Sequence, residues 1–170
     1  MYPVLFEIAG YPIHAYGLMG ALAFMLVALV GVYRGRDLGM SADAVVDVVF
    51  WSSVVGIAGS RVLYVAVNLD QFDTWTQWFD IRTGGLVFYG GLISMLPVGI
   101  WVARRHGLNA AQLADVFATV FPLGHAVARS GCFLAGCCYG IPTDLPWGVS
   151  FSHPLASAPK DVALHPTQLY

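Results

Sequence analysis

Charge is what this sequence has least of. Only 11% of its 170 residues are Asp, Glu, Lys or Arg, against roughly 25% in a soluble domain. So few charges cannot cover a water-facing surface, which excludes a soluble globular domain. Eight basic and ten acidic residues give a formal net charge of −2, and the basic ones form no dense patch. That excludes the electrostatic footprint of a nucleic-acid-binding protein. The sequence also lacks a low-complexity tract, a convincing internal repeat and any sign of a second domain. Its N-terminus has no basic segment ahead of an apolar core and no clear cleavage site, so no removable signal peptide is expected. Cysteine is scarce as well: three residues, Cys132, Cys137 and Cys138, all within RSGCFLAGCCYG (129–140).

What the chain has is apolar length. It is 58% hydrophobic, with a mean hydropathy of +0.69. Four runs meet or approach the ~20 residues that a ~30 Å hydrocarbon core demands. They are Ile13 to Tyr33, roughly Val45 to Val67, roughly Gly85 to Val102, and roughly Ala110 to Leu134. Continuous runs of this kind indicate helices, not the alternating pattern of a membrane barrel. The expectation is an all-α, polytopic membrane protein of about four transmembrane helices, forming a single domain over residues 1–170.

Orientation follows from the loops. Arg34 and Arg36 lie between the first two runs, and Arg104 and Arg105 between the last two. The two longer loops on the other side carry only Arg82 and Lys160. Arginine-rich short loops stay in the cytoplasm, so both termini are expected outside. In a bacterium this places residues 68–84 and 139–164 beyond the inner (cytoplasmic) membrane.

With that orientation, four polar residues fall at a similar outer level. Tyr16 lies about a turn inside the outer end of the first helix, and Tyr89 about a turn into the third. Arg61 precedes Val67 by six residues, ~9 Å of helix, and Arg129 follows Ala110 by nineteen, ~29 Å. Tyrosines at this depth suit an aromatic belt, and arginines near helix ends can snorkel to the interface. An intramembrane arginine is nonetheless costly, ~2.5–3.5 kcal/mol on insertion scales, and usually faces a bundle interior or a cavity. Small neighbours of Arg129 (Ala126, Ala128, Ser130, Gly131, Ala135, Gly136) permit close helix approach or leave room for a ligand. Because the guanidinium fork binds phosphate in a bidentate manner, two such arginines suggest an anionic lipid headgroup. The acids point elsewhere: Asp43 and Asp47 to interfacial solvation or interhelix pairing, and Asp115 to the positive end of the fourth helix dipole.

Five segments in order, IHAYGLMGALAF, GIAGSRVLYVAVNLDQF, GGLVFYGGLIS, ADVFATVFPLGHAVARSGCFLAG and HPTQLY, resemble successive motifs of the prolipoprotein diacylglyceryl transferase family. The likeness runs from about Ile13 to Tyr170, and the family's remaining helices would follow. It implies a polytopic enzyme of the bacterial inner membrane. That enzyme moves diacylglycerol from phosphatidylglycerol, or another anionic phospholipid, to the lipobox cysteine of a preprolipoprotein. It calls for no cofactor and no metal. By position, Tyr16 matches the tyrosine of the family's YGLM segment. Arg61, with Gly59 and Tyr64, matches GxRxxY, while Gly90 and Gly91 match the glycines of HGG. Arg129, Gly131, Phe133 and Gly136 match the signature RxGNFxNGE, whose arginine is regarded as essential. The implied substrate-binding set is Arg61, Arg129, Gly90, Gly91, Gly131 and Gly136; the implied catalytic set is Arg129, Tyr89 and Tyr16.

Departures from the family pattern open alternatives. Tyr89 stands where the family keeps the histidine of HGG, Cys132 where it keeps the asparagine, and Cys137 where it keeps the glutamate. A phenol with a reference pKa about 10 is a poor base at neutral pH. His125, four residues before Arg129 and on the same helix face, is therefore a candidate acceptor of the thiol proton. The sequence ends within the motif that opens the next family helix, so it reads either as a fragment or as a chain without those groups. A non-catalytic, family-derived subunit that binds lipid within a larger membrane complex is the alternative function. A thiol-based redox membrane protein is a third. For the cysteines, a zinc site lacks a second C-x₂₋₄-C pair, a disulfide would leave an odd thiol, and packing of small polarisable side chains is favoured.

Overall fold

The computed structural model describes residues 2–80 and 85–170. Four helices dominate it: α1 (Ala15–Arg36), α2 (Ala42–Val67), α3 (Phe88–Arg105) and α4 (Ala110–Ala135). Three of them, α1, α2 and α4, are long and apolar enough to cross a membrane. With 22, 26 and 26 residues, they reach about 33–39 Å at 1.5 Å per residue. The protein is therefore a multi-pass helical membrane protein. α3 is shorter, with 18 residues and Pro97 inside it. A short strand pair, β1 (Val4–Ile8) with β2 (Tyr11–His14), precedes α1, and β3 (Val149–Ser150) pairs with β4 (Ala163–Leu164) after α4.

The helix ends follow from local chemistry. Ser41 caps α2, its Oγ accepting from the Ala44 amide at 3.2 Å, as an N-cap hydroxyl should. At the end of α3, Gly107 adopts φ +69° and the Leu108 amide reaches back to the Ala103 carbonyl at 2.9 Å. This is a glycine C-cap, where a Cβ would be penalised. Asn109 then opens α4 by accepting from the Ala111 amide at 2.8 Å. The start at Ala110 leaves Asp115 beyond the first turn, where the dipole effect has faded; the N-terminal role expected of Asp115 belongs to Asn109. Arg34 and Arg36 end α1, and Arg104 and Arg105 end α3, at the termini where cations complement the dipole.

The chain divides into two compact units, residues 28–117 and residues 1–27 with 118–170. In the first, α2 and α3 pack through small residues. A Cβ on Gly59 would fall onto Ser94 Oγ and 2.7 Å from the Gly90 carbonyl, and one on Gly99 would lie 2.8 Å from Ser52 Oγ. Ser94 Oγ donates within this seam, 2.7 Å from the Gly90 carbonyl and 3.1 Å from that of Val55. Close backbone approach through Gly and Ser is how helices gain packing where lipid gives no hydrophobic drive. An apolar cluster of Val48, Val102, Ala103 and Leu113 continues the seam. Asp47 Oδ2 meets His106 Nε2, just past the end of α3, at 2.9 Å, the pairing that was one of the two roles expected of that acid.

In the second unit, β1 and β2 turn through Ala9 (φ 51°) and Gly10 (φ 82°). Both residues lie in the left-handed region that tight hairpins require. Ile13 and His14, expected within the first span, belong to β2, and the helix starts at Ala15, whose amide donates to the Pro3 carbonyl at 2.8 Å. α4 packs on the start of α1 through Gly131, where a Cβ would lie 2.8 Å from Met19 Cβ. The segment after α4 folds around Phe151, Ala158 and Leu164, with Phe133 of α4 against them.

Candidate functional site

The sequence-derived candidates fall in both units, and each group has its own geometry. In residues 28–117, Arg61 lies six residues before the end of α2 and is 8% exposed. Its Nε donates to the Trp78 carbonyl at 2.7 Å, its Nη2 to that of Gln77 at 2.8 Å, and its Nη1 to that of Gly85 at 3.1 Å. The rings of Tyr64 and Phe72 lie 5.3 and 5.6 Å from the guanidinium carbon. A buried cation is tolerable when every donor is engaged and aromatic faces surround it. The guanidinium thus ties the end of α2 to the segment between α2 and α3, including the short helix Trp75–Phe79. Sequence reasoning placed Arg61 six residues before the end of its helix, as found, but missed these carbonyls, which only the path of the intervening loop supplies.

Nearby on α3, Gly90 and Gly91 are buried against α2, where a Cβ would meet Leu63 Cβ at 2.6 Å and Ser60 Oγ at 2.5 Å, respectively. Tyr89, beside them, is 66% exposed and edges onto Phe88 at 5.8 Å. The Val87 amide donates to the Ser60 carbonyl at 3.1 Å, which sets the start of α3 next to Arg61's own turn of α2.

In the other unit, Arg129 lies six residues before the end of α4. Its Nη2 donates to the Thr167 carbonyl. The same guanidinium interacts with the Cys132 thiol one turn on. Thr167 belongs to the HPTQLY segment, which also reaches the turn after α4. Thr167 Oγ1 donates to the Cys138 carbonyl at 2.9 Å, and Gln168 Nε2 to that of Cys137 at 2.7 Å. The motif was visible in the sequence, but its partner was not: 38 residues separate Thr167 from Arg129.

Gly131 and Gly136 make this arrangement possible. The Gly131 backbone passes within contact distance of Tyr16 and Met19 on α1, and Gly136 (φ +68°) turns the chain against Ala156. Tyr16 is 53% exposed and lies within electrostatic reach of all three cysteines. His125 is exposed and stacks on Phe121, with ring centroids 6.1 Å apart and planes 12° apart. The three cysteines are free thiols, and a hydrogen bond with Cys132 together with burial pushes the Cys137 thiol above its ordinary value. A cavity of about 540 Å³ beyond them is lined by Phe133, Val149, Ser150, Ser152, His153 and Pro154. No pattern in the sequence announced it.

Chemically, Arg129 spends Nη2 on one backbone carbonyl among the described residues and faces the Cys132 thiol, whereas Arg61 has its donors on three backbone carbonyls. Phosphate or carboxylate is the natural guest for the former.

Known proteins place the whole chain. The family model described as prolipoprotein diacylglyceryl transferase matches residues 3–170. A phosphatidylglycerol–prolipoprotein diacylglyceryl transferase of Clostridium tetani is 32% identical over 170 residues, covering 100% of this chain and 68% of its own length. Proteins of the same name from Legionella pneumophila (strain Lens) and Geobacter sulfurreducens are 33% and 34% identical, with 99% of this chain and 65% and 64% of theirs covered. The chain thus spans about two thirds of the length of these relatives. With α1 to α4, the arginine-bearing ends of α2 and α4 and the HPTQLY segment all inside the matched region, this chain belongs to the prolipoprotein diacylglyceryl transferase family.

Proposed function

We propose that the protein moves diacylglycerol from phosphatidylglycerol to the lipobox cysteine thiol of a preprolipoprotein. The transfer takes place at the outer leaflet of the bacterial inner membrane, with both chain termini outside and residues 1–170 acting as one transmembrane domain. The observation that carries this reading is the family match over residues 3–170. It is supported by Arg129, an arginine near a membrane-helix end that spends Nη2 on one backbone carbonyl among the described residues.

In the transfer, the thiol gives its proton to a base, and its sulfur attacks the glyceryl carbon that bears the phosphodiester. A C–S bond forms as the C–O bond breaks, and glycerol phosphate leaves with the electron pair. Arg129 holds the phosphate and stabilises the charge growing on the leaving oxygen, the electrostatic contribution that usually dominates such steps. Tyr16, beside Gly131 in the same unit as Arg129, orients the headgroup. His125 accepts the thiol proton. Arg61 acts on the substrate indirectly, by holding the outer loop of its unit in place. Gly136 turns the chain so that the Cys137–Thr167 region closes on α4.

Transfer of labelled diacylglycerol from phosphatidylglycerol vesicles to a lipobox peptide tests the proposal. Product formation that disappears in Arg129→Ala is expected. Binding of the lipid without transfer would instead favour a non-catalytic lipid-binding subunit, and full activity in Arg129→Ala would end the assignment of Arg129.

A further inference from the structure

The transfer chemistry leaves one cluster of nucleophiles unused. The Sγ atoms of Cys132, Cys137 and Cys138 lie within 4.8 Å of one another. Cys132 is buried in the last turns of α4, Cys137 is half-buried and Cys138 is exposed. The turn that carries the last two is held from several sides. The Cys137 amide returns to the Cys132 carbonyl at 3.1 Å, and the Ala158 amide donates to the Gly136 carbonyl at 3.1 Å. Gln168 and Thr167 hold the carbonyls of Cys137 and Cys138. Cys138 itself sits at φ 57°, a left-handed conformation that a side chain disfavours and that the surroundings must enforce. Gln168, 2% exposed, keeps its Oε1 buried without a partner among the described residues.

Packing does not account for this arrangement, because Cys138 is exposed and its strained backbone brings its sulfur to the other two. A disulfide accounts for two sulfurs and leaves the third. We propose that Cys132, Cys137 and Cys138 form a three-sulfur site for a soft, thiophilic cation of the Cu(I) class. Thiolates select such cations over Mg²⁺ or Ca²⁺, which take oxygen ligands. A structural zinc site takes four protein ligands, and the cluster offers three sulfurs. With metal–sulfur bonds of about 2.3 Å, a planar three-sulfur site has edges of about 4 Å, a small contraction from the present spacing. Each thiol passes its proton to solvent as its sulfur bonds to the cation, and no oxidation state changes. The complex of three thiolates with one monovalent cation carries a charge of about −2, which the Arg129 guanidinium beside Cys132 offsets in part.

The test is Cu(I) binding by the detergent-purified, reduced protein under anaerobic conditions, in competition with a chromogenic Cu(I) chelator. One Cu(I) per chain is expected, held at least a hundredfold more weakly in each of Cys132→Ser, Cys137→Ser and Cys138→Ser. Zn(II) is expected to compete poorly. Cys138 is exposed, so its variant keeps the fold and decides the matter if the buried Cys132 variant unfolds. Equal copper retention by the triple serine variant would mean an adventitious ion only. That result would overturn the site, as would a Cys138→Ser variant that binds like the parent. Tighter Zn(II) than Cu(I) binding would overturn the soft-cation class. Lipid transfer is not the readout, so the outcome stands apart from that of the transferase assay.

Discussion

Arg61 and Arg129 lie near helix ends in different units of the chain, yet their surroundings are opposite. Arg61 is buried, with Nε, Nη1 and Nη2 on three backbone carbonyls and two aromatic rings close by. Arg129 is half-buried and donates to one carbonyl, that of Thr167. The difference shows that depth alone does not make an arginine a ligand-binding group. What matters is how many donors the protein has already used. By that measure Arg61 fastens its loop, and Arg129 is the arginine proposed to take the phosphate.

The comparison breaks most directly at Arg129. Arg129→Ala is expected to lower diacylglyceryl transfer about 10²–10³-fold, the effect of losing one charge-stabilising donor group, with little change in melting temperature. Arg129→Lys should recover only part of that rate, because a point charge does not reproduce the planar fork. Arg61→Ala should do the reverse in kind. It strips partners from three carbonyls and is expected to cost about 3 kcal/mol of stability. Thermal unfolding in detergent and faster proteolysis within residues 69–80 would report it. If Arg61→Ala instead left stability intact and abolished transfer, the two arginines would have the same role.

Packing provides a smaller contrast. Gly59→Ala would drive a methyl group into Ser94 Oγ and the Gly90 carbonyl. It is expected to cost about 1–3 kcal/mol, whereas Gly17→Ala, with nothing within 4 Å of its Cβ, should be neutral within about 0.5 kcal/mol. Paired melting curves compare them. The smallest effect belongs to Asp47→Asn. The partly exposed pair with His106 is worth about 0.5 kcal/mol, visible as a slight drop in melting temperature at low salt that vanishes at high salt.

Much of the fold was legible in the residues. The four apolar runs end within a few residues of α1 to α4, because span length and hydrophobicity are local properties of the chain. The positions of Arg61 and Arg129 along α2 and α4 were legible for the same reason, since each follows from counting residues to the end of an apolar run. The β1–β2 hairpin was not, because its apolar strand runs straight into the first helix and hides the boundary at Ala15. The cap of α4 at Asn109 was not read from the sequence, and Asp115, expected at the positive end of the helix dipole, lies beyond the first turn.

The site divides along the same line. The sequence by itself determined that this is a helical membrane protein of the prolipoprotein diacylglyceryl transferase family and that Arg129 stands near a helix end with small neighbours. Composition, run length and ordered motifs suffice for that, since each is read within a few turns of chain. Only the tertiary structure decided that Arg61 is held by carbonyls from residues 77, 78 and 85, and that HPTQLY closes on Arg129 and the turn after α4. It alone brought three sulfurs within 4.8 Å. Those contacts join loops that local sequence leaves unconstrained, and it is their backbone paths that decide which donors are spent and which remain.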